Sequence, residues 1–377
     1  MSMQDWQNLW LETPLIHSRH ISASLGCDVY LKLENLQPSQ SFKYRGISHF
    51  IQLARKTHGE NVELVVASGG NAGLAAATVA NILGMKCTVF LPEGATQPVL
   101  NFFKQEGAIV KTIGSCYAQA LKAAKEEVAT RSNAVLVPAY EHPDIWEGHG
   151  SMINEISKQL DGVKPDAIFC NAGGGGLFGG VIVGCKAVGW EDVPLVVLET
   201  TGSNCFYESI ALNPEGHFKP STVPLSDNVE IIEDEKFNIK LAHLKKLNSR
   251  ASSLGASSPS SGVVKLALDR GRVTYACAPD EFAMQVSALF AEDQKMLIEL
   301  ACATTLVPAY SPELFNKLVP QRADGATRTI VFIVCGGFKV TLDELEEFKE
   351  IVKAELQSQE RNWEVKCNGE QWGIPKH

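Results

Sequence analysis

Short apolar runs rich in β-branched residues alternate with helical patterns along most of this chain, and that alternation confines it to α/β folds in which crossover helices join parallel strands. Strands are predicted at Val29–Leu33, Leu64–Ala67, Lys86–Leu91, Ile109–Ile113, Ala134–Val137, Ala167–Cys170, Leu195–Leu198, Val273–Ala276 and Thr329–Val334. Helices are predicted at Ala72–Leu83, Tyr117–Ala129, Leu177–Val188 and Glu281–Ala291, lengths that suit crossovers. At 377 residues the chain outgrows one hydrophobic core, so two domains are expected, with Glu141-His142-Pro143 a candidate boundary. The rhythm breaks from Asn213 to Gly262, where an acidic-polar stretch, a basic piece and a Ser/Gly run read as surface loop. The tail beyond Lys349 reads as a solvated helix followed by a frayed end.

A formal net charge of -9, with no Lys/Arg run and no interleaving of aromatic and basic residues, argues against a nucleic-acid partner. No apolar stretch approaches the roughly 18 residues that span a bilayer. The start, Met1-Ser2-Met3-Gln4-Asp5-Trp6, is neither basic nor followed by an apolar signal core, so a cytoplasmic protein with no membrane partner is expected. The 10 cysteines are scattered without a Cys-x-x-Cys pair and read as reduced thiols, and the 9 histidines form no His-Glu-x-x-His, so no dedicated transition-metal site is expected.

Three loops at predicted strand ends carry the chemistry. Gly173-Gly174-Gly175-Gly176-Leu177 follows one strand and opens a helix, so its backbone N–H groups and the helix dipole can cradle an anion. It is neither the dinucleotide fingerprint nor a P-loop, which leaves a phosphate on some other molecule. Pro38-Ser39-Gln40-Ser41-Phe42-Lys43-Tyr44-Arg45-Gly46 sets one lysine at the centre of a polar loop, and Ser68-Gly69-Gly70-Asn71-Ala72-Gly73 leads into another helix. Taken singly, the lysine reads as a solvent-facing residue and the third loop as a helix cap. Three together point to a ligand site, because open parallel sheets bind ligands at the carboxyl ends of their strands.

Together these segments, with Ile145-Trp146-Glu147-Gly148-His149, Glu199-Thr200 and Cys335-Gly336-Gly337, resemble the L-serine/L-threonine dehydratases among pyridoxal-phosphate enzymes of the tryptophan-synthase-β type, fold type II. The resemblance runs from about Thr13 to Leu345 and implies two open, mainly parallel twisted sheets flanked by helices. It implies a small domain over 38–140 carrying the Schiff-base lysine and the substrate-carboxylate loop. The large domain would be 1–37 with 141–377, interrupted by the irregular region 213–262, of which 225–247 has no family counterpart and would be a surface loop, a lid or translated sequence foreign to the true gene. Lys43 would link to pyridoxal 5'-phosphate and Phe42 lie against its ring, Asn71 would bond the ring's phenolic oxygen, Gly173, Gly174, Gly175, Gly176 and Leu177 would take its phosphate, and Cys335 would face its ring nitrogen. Ser68, Gly69, Asn71 and Ala72 would hold the substrate carboxylate. Glu199 and Ser203 lie where the family sometimes binds a monovalent cation such as K+, although a glutamate there serves equally as a local cap.

The activity implied is β-elimination of water and ammonia from L-serine or L-threonine by a homodimer, with Lys43 removing the α-proton. Racemisation or β-replacement on the same scaffold, and a silent cofactor-binding relative, are the alternatives. Family racemases carry a serine where this chain has Gly69, which has no side chain to serve a second face of the substrate. Other departures are Gln40 in place of a usual glycine, and Glu299-Leu300-Ala301-Cys302-Ala303-Thr304 in place of a Glu-Pro-Ala-Cys-Gly-Ala type segment. Phe338-Lys339 replaces a small polar pair.

Overall fold

A computed structural model describes residues 8–214, 218–219 and 226–377; Met1–Trp6 and parts of the irregular stretch, 215–217 and 220–225, lie outside the described residues. Among the described residues fourteen strands form three sheets: β1 (Leu15–His17), β2 (Asp28–Leu33), β3 (Glu63–Ala67), β4 (Cys87–Leu91), β5 (Ile109–Thr112), β6 (Ala134–Leu136), β7 (Ala167–Asn171), β8 (Leu195–Thr200), β9 (Val229–Asp234), β10 (Ile239–Leu244), β11 (Val273–Ala278), β12 (Thr329–Val334), β13 (Asn362–Cys367) and β14 (Glu370–Pro375). The larger sheet has the order β1-β2-β12-β7-β8-β11-β13-β14 and the smaller β5-β4-β3-β6. All pairs of the smaller sheet are parallel. In the larger sheet the run β2-β12-β7-β8-β11 is parallel, while β1, β13 and β14 add antiparallel edges.

The strand sequences explain their positions. Every residue of β7 and β8 is buried, as their largely apolar runs require when helices cover both faces. β5 sits at an edge, where Ile109 is exposed. All nine predicted strands form, and the fold class is the one expected. No helix among the described residues is long and apolar enough to cross a membrane.

Two stretches correct the sequence reading. The tail after Lys349 does not fray: helix Leu342–Leu356 gives way to the hairpin β13–β14, which extends the larger sheet through Ala276 and Cys277 of β11. Trp363, Val365, Cys367 and Ile374 are buried there, and their apolar area offsets the cost of ordering the segment. Within 225–247, composition predicts loop, whereas β9 and β10 pair in register from Val229↔Leu244 to Asp234↔Ile239. The hairpin is anchored because Val229, Ala242 and Leu244 cluster with Cys205 of helix Cys205–Leu212, and the Ala242 N–H donates to Ser209 Oγ at 2.9 Å.

Candidate active site

Lys43 opens the helix Lys43–His58, and the loop before it is stitched to the end of β12. The Phe42 N–H donates to the Cys335 carbonyl at 3.0 Å and the Gly337 N–H to the Gln40 carbonyl at 2.8 Å, bringing the lysine loop and the Cys335 loop into one unit. Lys43 Nζ donates to the Ala139 carbonyl at 2.6 Å and stands 5.2 Å from the centre of the Phe42 ring. The residue is half-buried, and burial, opposed only by the Cys335 sulfur, pulls its amine down to about 8. An ordinary lysine stays charged far above neutrality; this one does not.

Beneath the lysine lies a buried ion network. Arg45 donates to Glu34 at 2.7 and 2.8 Å and to Glu155 at 2.6 Å through two nitrogens, while Lys32 reaches Glu155 at 2.6 Å. Two cations face two carboxylates, and burial, which would raise the Glu34 carboxyl, is outweighed by Arg45, which holds it below its usual range. On the other flank His149 packs its ring 4.8 Å from that of Phe42 and accepts the Gly46 N–H at 3.0 Å. Burial, then the charges of Lys43 and Arg45, hold the imidazole well below its ordinary value.

The glycine run comes next to Lys43 through Ala139-Tyr140. The Tyr140 ring lies against Gly174 so closely that a Cβ there would stand 2.6 Å from the ring, and one on Gly173 would meet the Leu254 backbone at 2.8 Å. Gly175 takes a left-handed φ of 91° and precedes helix Gly176–Ala187, whose first turn has neither a side-chain cap nor an acidic residue. The Gly174 carbonyl is turned to the Ser260 N–H at 2.9 Å. This glycine run, admitting no Cβ and opening an uncapped helix, suits the phosphate of pyridoxal phosphate, and the amine of Lys43, lowered to about 8, suits its aldehyde.

Helix Asn71–Leu83 likewise begins without a side-chain cap or an acidic residue in its first turn. Ser68 Oγ accepts the Gly70 N–H at 3.2 Å, Ala72 is buried in the first turn, and a Cβ on Gly69 would meet only Leu91 Cβ, at 3.4 Å. Asn71 is tied to the larger sheet: its Nδ2 donates to Glu299 Oε2 at 3.2 Å and to Ser253 Oγ at 3.2 Å, and its Oδ1 accepts the Phe338 N–H. Ser253 also donates to Glu299, and Glu299 accepts the Lys339 N–H at 3.1 Å. Glu299 and Ser253 are additions to the residues read from sequence. Cys335 is buried, and Asn171 Nδ2 donates to its sulfur at 3.2 Å and to the Ala301 carbonyl at 2.6 Å. The substitutions at Ala303 and Thr304 are fully buried, and Thr304 Oγ1 donates to the Leu300 carbonyl.

Glu199 lies at the end of β8, and its two oxygens accept the N–H groups of Phe206 at 3.0 Å and Tyr207 at 2.6 Å, so it caps the helix Cys205–Leu212. Burial, only partly countered by those bonds, raises its carboxyl well above the usual range. Ser203 Oγ is buried without a hydrogen-bond partner among the described residues.

The chain belongs to the pyridoxal-phosphate dependent enzyme family, whose pattern matches residues 7–336. It is 36% identical over 337 residues to a Mus musculus protein named serine dehydratase-like, covering 89% of this chain and 93% of that one. With L-serine dehydratase/L-threonine deaminase of Homo sapiens it shares 33% identity over 352 residues, 92% of this chain and 97% of the other. The structure of a fungal L-serine ammonia-lyase from Rhizomucor miehei superposes with a TM-score of 0.78 at 32% identity, covering 91% of this chain and 99% of that one. The fold is that of the fold type II pyridoxal-phosphate enzymes.

Proposed function

We propose that this chain is a pyridoxal-phosphate-dependent ammonia-lyase that converts L-serine or L-threonine to a 2-oxo acid and ammonia. The observation that carries the reading is the half-buried Lys43 amine, lowered to about 8, bonded to Ala139 beside the Tyr140 ring that packs on Gly174, on a loop stitched to that of Cys335. When bound, the cofactor supplies an aldehyde that links to amines and a ring that draws electrons from the bonds at the substrate α-carbon. Gly173 to Leu177 would hold its phosphate, Phe42 would support its ring, and Asn71 and Cys335 would bond its phenolic oxygen and its nitrogen. Ser68 Oγ and the N–H groups of Gly69, Asn71 and Ala72 hold the substrate carboxylate at an uncapped helix start. Lys43 Nζ, uncharged more often than an ordinary lysine amine, takes the α-proton. Gly69 offers no group to return a proton from the opposite side, which favours elimination over racemisation.

The two-domain division belongs to the same proposal: β3 to β6 fall within 38–140, and every strand of the larger sheet falls in 1–37 or 141–377. So does a K+ ion near Glu199 and Ser203, supported by the unpartnered Ser203 hydroxyl. A homodimer is proposed from family likeness alone, and residence in the cytoplasm from the scattered cysteines read as reduced thiols. Borohydride reduction of the loaded protein followed by peptide mapping should put the label on Lys43, and L-serine and L-threonine should yield 2-oxo acid with little D-isomer by chiral chromatography. A label on another lysine, or D-serine accumulating as fast as pyruvate, would refute the reading.

A further inference from the structure

Lys339 follows β12 by way of Cys335-Gly336-Gly337-Phe338, and its backbone is pinned from two sides. The Phe338 N–H donates to Asn71 Oδ1 at 3.2 Å and the Lys339 N–H to Glu299 Oε1 at 3.1 Å. Phe338 itself is buried edge-on against Phe102, ring centres 5.0 Å apart, so this segment has little freedom to swing away. From that base the half-buried Lys339 side chain reaches the carboxylate loop. Its Nζ lies 3.7 Å from where a Cβ on Gly70 would stand and donates to Ser252 Oγ at 3.2 Å. Among the described residues it forms no ion pair with a carboxylate.

We propose that Lys339 is a specificity residue that selects a 3-hydroxy amino acid bearing a second acidic group on its β-carbon, 3-hydroxyaspartate being the simplest. This rests on the ammonia-lyase reading above. An α-carboxylate is already provided for by Ser68 Oγ and an uncapped helix start, in a chain whose family pattern places a small polar pair, not a cation, after Cys-Gly-Gly. The hydroxymethyl of serine and the methyl of threonine give an ammonium nothing to pair with. A side-chain carboxylate beside Gly70 and Ser252 does, as a charge-assisted hydrogen bond. The chemistry is unchanged in balance: the α-C–H and β-C–O bonds break, water leaves, a water molecule adds back at the α-carbon, and the C–N bond breaks to give a 2-oxo dicarboxylic acid and ammonia without net oxidation.

L-Aspartate and L-asparagine have the same shape, differ in side-chain charge and lack the leaving hydroxyl, so calorimetric titration of the cofactor-loaded protein reads recognition apart from turnover. Aspartate should bind about tenfold more tightly, a preference that Lys339→Met reduces to about threefold or less and Lys339→Arg keeps. In turnover, Lys339→Met should lower kcat/KM for 3-hydroxyaspartate about tenfold and that for L-serine less than about threefold. Equal binding of the two ligands overturns the proposal. So does an equal loss for both substrates in Lys339→Met, which would put the ammonium on the α-carboxylate. An aspartate preference that depends on Lys339, with no 2-oxo acid from any hydroxy amino acid, would uphold the recognition role and overturn the elimination reading instead.

Discussion

The carbonyl of Gln40 accepts the Gly337 N–H at 2.8 Å, and Gln40 holds a φ of 61° to present it. A Cβ on Gly336 would stand 2.3 Å from the same oxygen, so the two loops interlock with no slack. The family's usual glycine at this position accords with that backbone requirement, and this chain meets it with a residue that carries a Cβ.

Gln40→Gly should therefore stabilise the protein. Glycine holds the same left-handed conformation without the Cβ clash, a relief of about 1–2 kcal/mol, and the added freedom of the unfolded chain takes back about 0.5–1 kcal/mol. A net gain on the order of 0.5–1 kcal/mol should appear as a higher denaturant midpoint at unchanged slope.

Burying the Lys43 amine lowers its folded-state value to about 8 from an ordinary 10.5, so the unfolded chain binds more protons between those values. The penalty is full below about pH 8 and fades as pH rises toward 10.5. Lys43→Met should abolish turnover, and should stabilise the cofactor-free protein at pH 7 by on the order of 3 kcal/mol. That gain should shrink across this pH window in denaturant titrations; a gain independent of pH would contradict the assignment.

Glu155→Leu leaves Arg45 and Lys32 facing Glu34 alone in a buried site. A loss of about 3–5 kcal/mol is expected, larger than for loss of an exposed pair such as Lys122 with Glu126. Glu34, held below its ordinary value, contributes stability that is present above the unfolded value and lost as pH falls through the folded one, so acid unfolding should begin at higher pH once this network is weakened. Circular dichroism against pH for the two proteins checks both.

Gly174→Ala should weaken cofactor retention by about tenfold or more without unfolding the chain, because the new methyl collides with the Tyr140 ring at the cradle. Truncating the ring in Gly174→Ala/Tyr140→Ala should recover part of that loss, and cofactor absorbance after dialysis reads it as a double-mutant cycle.

The parallel strands were legible because each is a short run dominated by apolar residues and set between turn and helix signals, and the central ones, such as Ala167–Asn171, are buried along their whole length. β1 spans only Leu15–His17, too short for any period to register. In β13 the alternation of Trp363, Val365 and Cys367 with Glu364 and Lys366 is a sound strand pattern, yet it follows a charged helix and looks like its continuation. At the site, the lysine and the glycine runs announced themselves locally. Glu299 did not, since its bond to Asn71 spans 228 positions and nothing in its own neighbourhood signals a partner that far away. The reach of Lys339 to Gly70 is of the same kind, visible as an oddity in sequence and as a contact only once the chain folds.

The order of strands also bears on how the molecule is made. On the ribosome, the nascent chain completes all four strands of the smaller sheet once residue 136 has emerged, so that body can assemble while synthesis continues. The larger sheet has no such option. β12 lies between β2 and β7, so the early edge pair and the middle strands cannot join until Thr329–Val334 arrives to fill the gap. The same late strand leads directly into Cys335 and Gly337, so a chain stalled before residue 329 would carry Lys43 beside a folded sheet without the loop that stitches its own in place, and cofactor affinity should appear abruptly near the end of translation.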